Sequence, residues 1–173
     1  MLRPVDNTVS RFDATCQEWE VPPPLAQLEV FEERAQTILS ENQSPDLPFR
    51  FSLNPYRGCT HACAYCYARP DHEYLGFRAG TDFDSKIVVK VNAMERLREA
   101  FNQPSWKGEQ IVFSGDTDCY QPLEAHYRLT RQCLEVCLEY HNPGGSITKS
   151  VLIRRDADLL SELARLASCS VAS

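Results

Sequence analysis

The sequence has no long apolar run, no apolar leader and no excess of basic charge. No segment approaches the ~18 consecutive apolar residues that a membrane helix needs. The first 25 residues show no secretory signal and carry six charged side chains, at Arg3, Asp6, Arg11, Asp13, Glu18 and Glu20. The formal net charge of -6 gives no generic attraction for phosphate backbones, so a nucleic-acid role would need a local basic groove. We therefore expect a cytoplasmic protein without a membrane partner.

The composition is that of a soluble globular protein with an unusual number of cysteines. The 173 residues are 43% hydrophobic and 24% charged, enough for one domain with a real core. Three of the eight cysteines, Cys59, Cys63 and Cys66, lie within eight residues, and the others are scattered. Because nothing indicates export, this cluster predicts a metal site before it predicts a disulfide framework.

The chain divides into an N-terminal extension, residues 1–47, and a main domain, residues 48–173. Three prolines at positions 22–24 break regular structure in the extension. Behind them, apolar residues from Leu25 to Leu39 fall at helical spacing, which predicts one helix there.

Strand and helix patterns alternate through the main domain. Strands are predicted over Phe49–Leu53, Lys86–Val91, Gln110–Phe113 and Ile147–Ile153, and helices behind Asn92, over 124–140 and behind Asp156. This alternation predicts a mostly parallel sheet of the α/β class. The alternation stops at Cys169–Ser173, where a strand is predicted to start, so we expect the N-terminal part of a longer α/β domain.

The segment from Asn54 to Pro70 contains the cysteine triplet. Thiolates separated by three and then two residues could each bind one iron of a [4Fe–4S] cluster and leave the fourth iron open for a ligand. The alternative is structural zinc, with His61 or His72 as the fourth ligand. A second C-x2-C pair, which is usual in zinc knuckles, is missing.

The C-x3-C-x2-C spacing, with Tyr65 just before the third cysteine, resembles the cluster loop of the radical S-adenosylmethionine (SAM) superfamily. The longer string Asn54–Pro70 and the residues His72–Gly76 resemble a branch related to spore photoproduct lyase, whose members are often labelled DNA repair photolyases. Two later strings, Thr117–Glu124 and Thr148–Ser150, extend the resemblance, which covers about residues 44 to 168.

The resemblance implies a partial TIM-like (β/α)6 barrel, of which this chain would be the first half, truncated at its C-terminus. It implies a [4Fe–4S] cluster on Cys59, Cys63 and Cys66, with SAM bound to the open iron. Reductive cleavage of SAM would give methionine and a 5′-deoxyadenosyl radical, with electrons from a partner such as flavodoxin or ferredoxin. DNA photoproduct repair is the reaction of the named branch, although the net charge gives no support for a DNA substrate.

The resemblance also implies roles for single residues. Tyr65 would pack near the adenine of SAM, Thr117 or Asp118 would accept from its amino group, and Lys149 would pair with its carboxylate. Cys119 would lie near the barrel mouth and could donate a hydrogen atom to a radical. The alternatives are ordinary loop capping for the polar residues and a buried apolar role for Cys119.

Two further hypotheses compete with an active radical enzyme: a zinc-binding structural or interaction module, and a fragment that binds the cluster without turnover. For the isolated chain we expect poor solubility, uptake of iron and sulfide, and slow SAM cleavage or none. If the cluster hypothesis is right, the three sulfur atoms should converge within a few Å of one centre, with Asp118 and Lys149 facing the same cavity.

Overall fold

A computed structural model describes residues 27–172 of the chain. Its strands are β1 (Glu29–Glu33), β2 (Leu39–Glu41), β3 (Phe51–Leu53), β4 (Tyr56–Arg57), β5 (Lys86–Lys90), β6 (Ile111–Phe113), β7 (Gly144–Ile147) and β8 (Cys169–Ala172). Its α-helices are α1 (Thr81–Ser85), α2 (Ala93–Phe101), α3 (Glu124–Tyr127), α4 (Leu129–Glu139) and α5 (Ala157–Leu166). Two 3-10 helices span Arg69–Leu75 and Val151–Asp156.

The larger sheet has five strands in the order β2-β3-β6-β7-β8. Strands β3, β6, β7 and β8 are parallel, with Phe51 opposite Ile111, Ile111 opposite Gly144 and Gly144 opposite Cys169. β2 pairs antiparallel with β3. Since the four parallel strands run side by side in chain order, their carboxyl ends meet at one edge of the sheet, where α/β sheets place their ligands.

The smaller sheet has three strands in the order β1-β5-β4. β1 pairs parallel with β5, and β4 pairs antiparallel with it. β5 is the central strand, and four of its five residues are buried, which fits its β-branched sequence KIVVK.

Helices α2, α4 and α5 pack together and cover the larger sheet. Their buried apolar side chains, among them Leu97, Leu134 and Leu163, form one core with Leu53, Ile111 and Phe113 of the strands. The chain is therefore mixed α/β, and the partial barrel stays a prediction.

Among the described residues, 27–172, every helix is too short or too polar to span a membrane.

The predicted helix between Leu25 and Leu39 is wrong. Its first two residues lie outside the described part of the chain, Glu29–Glu33 form β1, and Leu39 begins β2. The residues at helical spacing share no buried face, because Leu28 and Phe31 are substantially exposed while Ala35 and Ile38 are buried. Backbone pairing of β1 with β5 outweighs the local helical pattern.

The predicted strand Ile147–Ile153 is also wrong, since β7 ends at Ile147 and a 3-10 helix begins at Val151. The cause is Ser150, whose hydroxyl accepts from the Leu152 backbone N–H at 3.3 Å and starts the helix. The predicted 124–140 helix is two helices, because Arg128 takes a left-handed conformation, φ 56°, between α3 and α4.

The other predicted elements lie within two residues of their expected bounds. Asn92 and Asp156 do precede helices α2 and α5, but neither side chain caps its helix. The Asn92 amide instead accepts from the Ala35 backbone N–H at 2.8 Å and donates to the Ala35 carbonyl at 2.9 Å. This pair of bonds ties the connection between β1 and β2 to the start of α2.

Candidate metal and cofactor site

A cavity of about 210 Å³ lies where the segment Asn54–Pro70, called the cysteine loop below, meets the ends of β6 and β7. Cys59, Cys63 and Cys66 line it. The loop 114–118 after β6 and residues 147–149 at the end of β7 complete its wall. The parallel order of β3, β6 and β7 brings these three segments together, because each follows the carboxyl end of its strand.

The three cysteines of this cavity, called the cysteine cavity below, are free thiols. Cys59 is buried, and Cys63 and Cys66 are partly exposed. Burial raises the pKa of the Cys59 thiol to about 11, since the apolar surroundings disfavour the thiolate. A bound metal reverses this preference, because a coordinating thiol loses its proton.

Within residues 27–172, no three or more His, Cys, Asp or Glu side chains are grouped so that they could hold a metal ion. Three sulfurs that bound one zinc ion, each at ~2.3 Å, would lie roughly 4 Å from one another. The sulfurs of these cysteines are not grouped in that way. A [4Fe–4S] cluster makes a different demand, since each thiolate binds its own iron. The three thiols that line one cavity are of the donor type that such a cluster takes, and their convergence on one centre stays a prediction.

Two buried side chains that the sequence analysis did not assign hold the cysteine loop. Gln121 is fully buried, accepts from the Thr60 backbone N–H at 3.1 Å and donates to the Gly58 carbonyl at 3.1 Å. Arg69 donates to the Cys63 carbonyl at 3.1 and 3.2 Å and to both carboxylate oxygens of Asp84. No local sequence signal distinguishes Arg69 from a surface arginine.

Gly58 fixes the entry into the cysteine loop. Its φ is +78°, and an added Cβ would lie 2.9 Å from both Ile87 Cδ1 and the Phe83 carbonyl oxygen. That carbonyl also accepts from the Cys59 backbone N–H at 2.9 Å. Both the backbone conformation and the available space therefore require glycine.

We expect Gly58→Ala to lower the free energy of unfolding by about 2–3 kcal/mol, from left-handed strain together with overpacking. Gly76→Ala is the matched control, because Gly76 has φ +76° and nothing within 4 Å of the added Cβ. Its cost should be about 1 kcal/mol. Urea unfolding of the two variants measures the difference, and equal losses would show that the contact with Phe83 is unimportant.

Asp118 lies at the centre of the hydrogen bonds around the cavity. Its Oδ1 accepts from the Tyr120 backbone N–H at 2.8 Å and the Thr148 hydroxyl at 2.6 Å. Its Oδ2 accepts from the Lys149 backbone N–H at 3.0 Å and lies 3.4 Å from His61 Nε2. The carboxylate thus joins the loops after β6 and β7, in line with the capping alternative, and Oδ2 retains capacity for one more donor.

Lys149 connects the β7 loop to the cysteine loop. Its ammonium donates to the Tyr65 hydroxyl and lies 4.2 Å from the centre of the Tyr65 ring. It also lies 3.9 Å from Cys63 Sγ. The Tyr65 side chain is 78% exposed, so the pair forms the outer wall of the cavity.

Thr117 is buried on the inner wall. Its hydroxyl donates to the Tyr56 carbonyl at 2.9 Å and lies 2.9 Å from the Asn54 amide. The hydroxyl proton is therefore used within the fold, and Thr117 could meet an ammonium only as an acceptor.

The remaining candidate residues lie elsewhere. Cys119 is fully buried outside the cavity lining, with its Sγ 3.5 Å from the Ser146 hydroxyl, and burial raises its thiol pKa to about 12. Cys133 and Cys137 are buried in the core on α4. Of the two histidines considered as zinc ligands, His61 lines the cysteine cavity, whereas His72 lines a neighbouring one.

Comparison with known proteins finds relatives without an assigned activity. Uncharacterized proteins of Mycobacterium tuberculosis and Mycobacterium bovis are 45% identical over 126 residues, which is 73% of this chain and 37% of each relative. An uncharacterized protein of Methanocaldococcus jannaschii is 28% identical over 141 residues, 82% of this chain and 50% of that protein. The chain thus spans half or less of the length of these relatives. No family model and no solved structure matches.

Proposed function

We propose that this chain holds a [4Fe–4S] cluster through Cys59, Cys63 and Cys66 and binds SAM beside it, as part of a radical SAM enzyme. One observation carries the proposal. The three thiols of the C-x3-C-x2-C loop line the same cavity as Asp118 and Lys149, although these residues come from three separate segments of the chain. A zinc knuckle would need only the first of those segments.

The chemistry that a bound cluster would supply is one-electron reduction of SAM, and the chain's own residues would bind and orient the ligand. Lys149 carries the cation at the outer wall and would pair with a carboxylate. Asp118 Oδ2 would accept from an ammonium group, using the capacity left beside the Lys149 backbone N–H. The exposed Tyr65 ring offers a flat apolar face to a base.

Lys149→Met should weaken SAM binding to anaerobically reconstituted protein roughly tenfold, through loss of one charge-assisted contact. Isothermal titration calorimetry measures this without turnover. Lys107→Met is the control, since the Lys107 ammonium donates to the Pro104 carbonyl and does not line the cavity. Equal SAM affinity in the two variants would remove Lys149 from the binding site.

A zinc-binding module is the second candidate, and one observation favours it: His61 lines the cavity with all three cysteines. Within residues 27–172 these side chains are not grouped to hold one ion, so zinc would have to draw them together into a tetrahedral site. Purification without air separates the two proposals, because an iron–sulfur protein is brown and a zinc protein is colourless. Elemental analysis that finds one zinc and no iron in such a preparation would decide for the module.

A further inference from the structure

A second and larger cavity, of about 390 Å³, adjoins the cysteine cavity. The two share Ser114, Asp116 and Thr117 as wall residues. This volume falls within the range of small-molecule sites, roughly 300–1,000 Å³. The lining is a mixture of polar and apolar surface and includes the side chain of Lys90, after which we call it the Lys90 cavity.

Lys90 is the last residue of β5 and is only 8% exposed. Its backbone N–H bonds to the Pro55 carbonyl, but its ammonium has no hydrogen-bond or ion-pair partner in the described part of the chain. The other lysine of this strand, Lys86, forms an ion pair with Asp82 at 3.3 Å. A buried cation without a partner is costly, so this site favours a negative group that the chain does not supply.

The other charges around Lys90 belong to more exposed residues. Arg57 adds a second cation to the lining, and Asp71 and Asp116 add two carboxylates, all three being exposed. The carboxylate of Glu33, in β1, also attracts the Lys90 ammonium electrostatically. Burial, together with the Arg57 cation, outweighs the carboxylates of Glu33 and Asp116 and lowers the pKa of Lys90 to about 8. The buried part of the cavity is therefore short of negative charge, while its exposed edge carries both signs.

A hydroxyl donor lies in the same wall. Ser52 of β3 is half-buried, lines the cavity and makes no side-chain hydrogen bond in the described structure. A cation and a hydroxyl that both lack partners form a donor set for an oxyanion.

We propose that the Lys90 cavity binds the oxyanion group, phosphate or carboxylate, of a small substrate, with Lys90 as its ion-pair partner. The identification of this molecule as a substrate rests on the proposed function, because the shared wall places it beside the cysteine cavity. The binding of an oxyanion does not rest on it.

The test uses the full chain without added iron. Wild type is titrated with inorganic phosphate and with acetate by calorimetry, and the tighter of the two identifies the group. Lys90→Met should weaken that binding at least roughly tenfold. Lys90→Arg should retain most of it. Lys86→Met, on the same strand, should change it by no more than about twofold, since a part-exposed ion pair contributes little.

A second measurement on wild type covers the case in which Lys90→Met fails to fold. At pH 8 an amine acylating reagent small enough to enter the cavity should modify Lys90, because the lowered pKa leaves much of the amine unprotonated. Saturating phosphate or acetate should suppress that modification severalfold and leave Lys86 unaffected, as mass spectrometry of the peptides would show.

The proposal is overturned if wild type binds neither phosphate nor acetate. It is also overturned if a folded Lys90→Met variant binds the anion as tightly as wild type does. Acylation of Lys90 at the same rate with and without either anion would overturn it as well. None of these results bears on iron uptake, which Cys59, Cys63 and Cys66 would govern. Conversely, a chain that binds the anion but takes up no iron would keep the oxyanion site and lose the radical SAM function.

Discussion

Replacing any one of Cys59, Cys63 and Cys66 by alanine should abolish the brown charge-transfer absorption of the anaerobically reconstituted protein. Iron should fall from about four atoms per chain towards zero, because each thiolate anchors a different iron and two anchors hold a cubane poorly. All three side chains line the cysteine cavity, and none is engaged in a disulfide. Visible absorption and iron analysis measure the effect.

The matched controls are Cys133→Ala and Cys137→Ala. Both residues are fully buried on α4, outside the cysteine cavity, where burial strongly disfavours the thiolate. These variants should retain full iron content and lose only some stability, as expected for truncation of a small core side chain. If either control loses iron as completely as the triplet variants do, the ligand assignment is wrong.

Glu124→Ala should lower the free energy of unfolding by about 3–5 kcal/mol, the range for a buried ion pair that loses one partner. The Glu124 carboxylate is completely buried. It accepts from Arg155 at 2.7 Å, from the Tyr56 hydroxyl at 2.5 Å and from the Thr130 backbone N–H at 3.0 Å. Alanine would leave the Tyr56 hydroxyl and the Thr130 N–H without an acceptor, whereas Arg155 would keep its ion pair with Asp156 at 2.7 Å. Urea unfolding measures the loss.

Glu139→Ala provides the comparison. Glu139 also binds an arginine, Arg98, at 2.6 Å, but both side chains are more than 40% exposed. Water replaces an exposed partner, so the expected loss is only about 0–1 kcal/mol. A loss for Glu124→Ala no greater than that for Glu139→Ala would show that the buried network contributes no more than a surface pair.

The sequence was sufficient to predict the strands β3, β5 and β6, but not the bounds of β7, which also ends at the cysteine cavity. Strands β3, β5 and β6 have β-branched or alternating apolar residues, and the cysteines are neighbours in the chain, so local patterns identify them. The same patterns place Asp118 just beyond β6. Lys149 falls inside the predicted strand Ile147–Ile153 and lies beyond β7 only because that strand ends at Ile147.

The sequence was not sufficient where a residue's role depends on distant partners. β1 exists because Glu29 lies opposite Lys86 in another part of the chain, which no local periodicity reveals. Gln121 and Arg69 act on the carbonyls of Gly58 and Cys63, and their own sequence neighbours carry no sign of this. Lys90 appears as one more polar residue at a strand end until the fold buries it.

The parallel pairing of β3 with β6 also has a consequence for the rate of folding. Bringing Phe51 opposite Ile111 closes a loop of about 60 residues, and the entropy of that closure must be overcome before the contact stabilises anything. Domains dominated by such distant pairings fold in milliseconds to seconds, whereas chains with local contacts fold far faster. The walls of the cysteine cavity therefore form slowly, while the three thiols are close together in the chain as soon as it is synthesised.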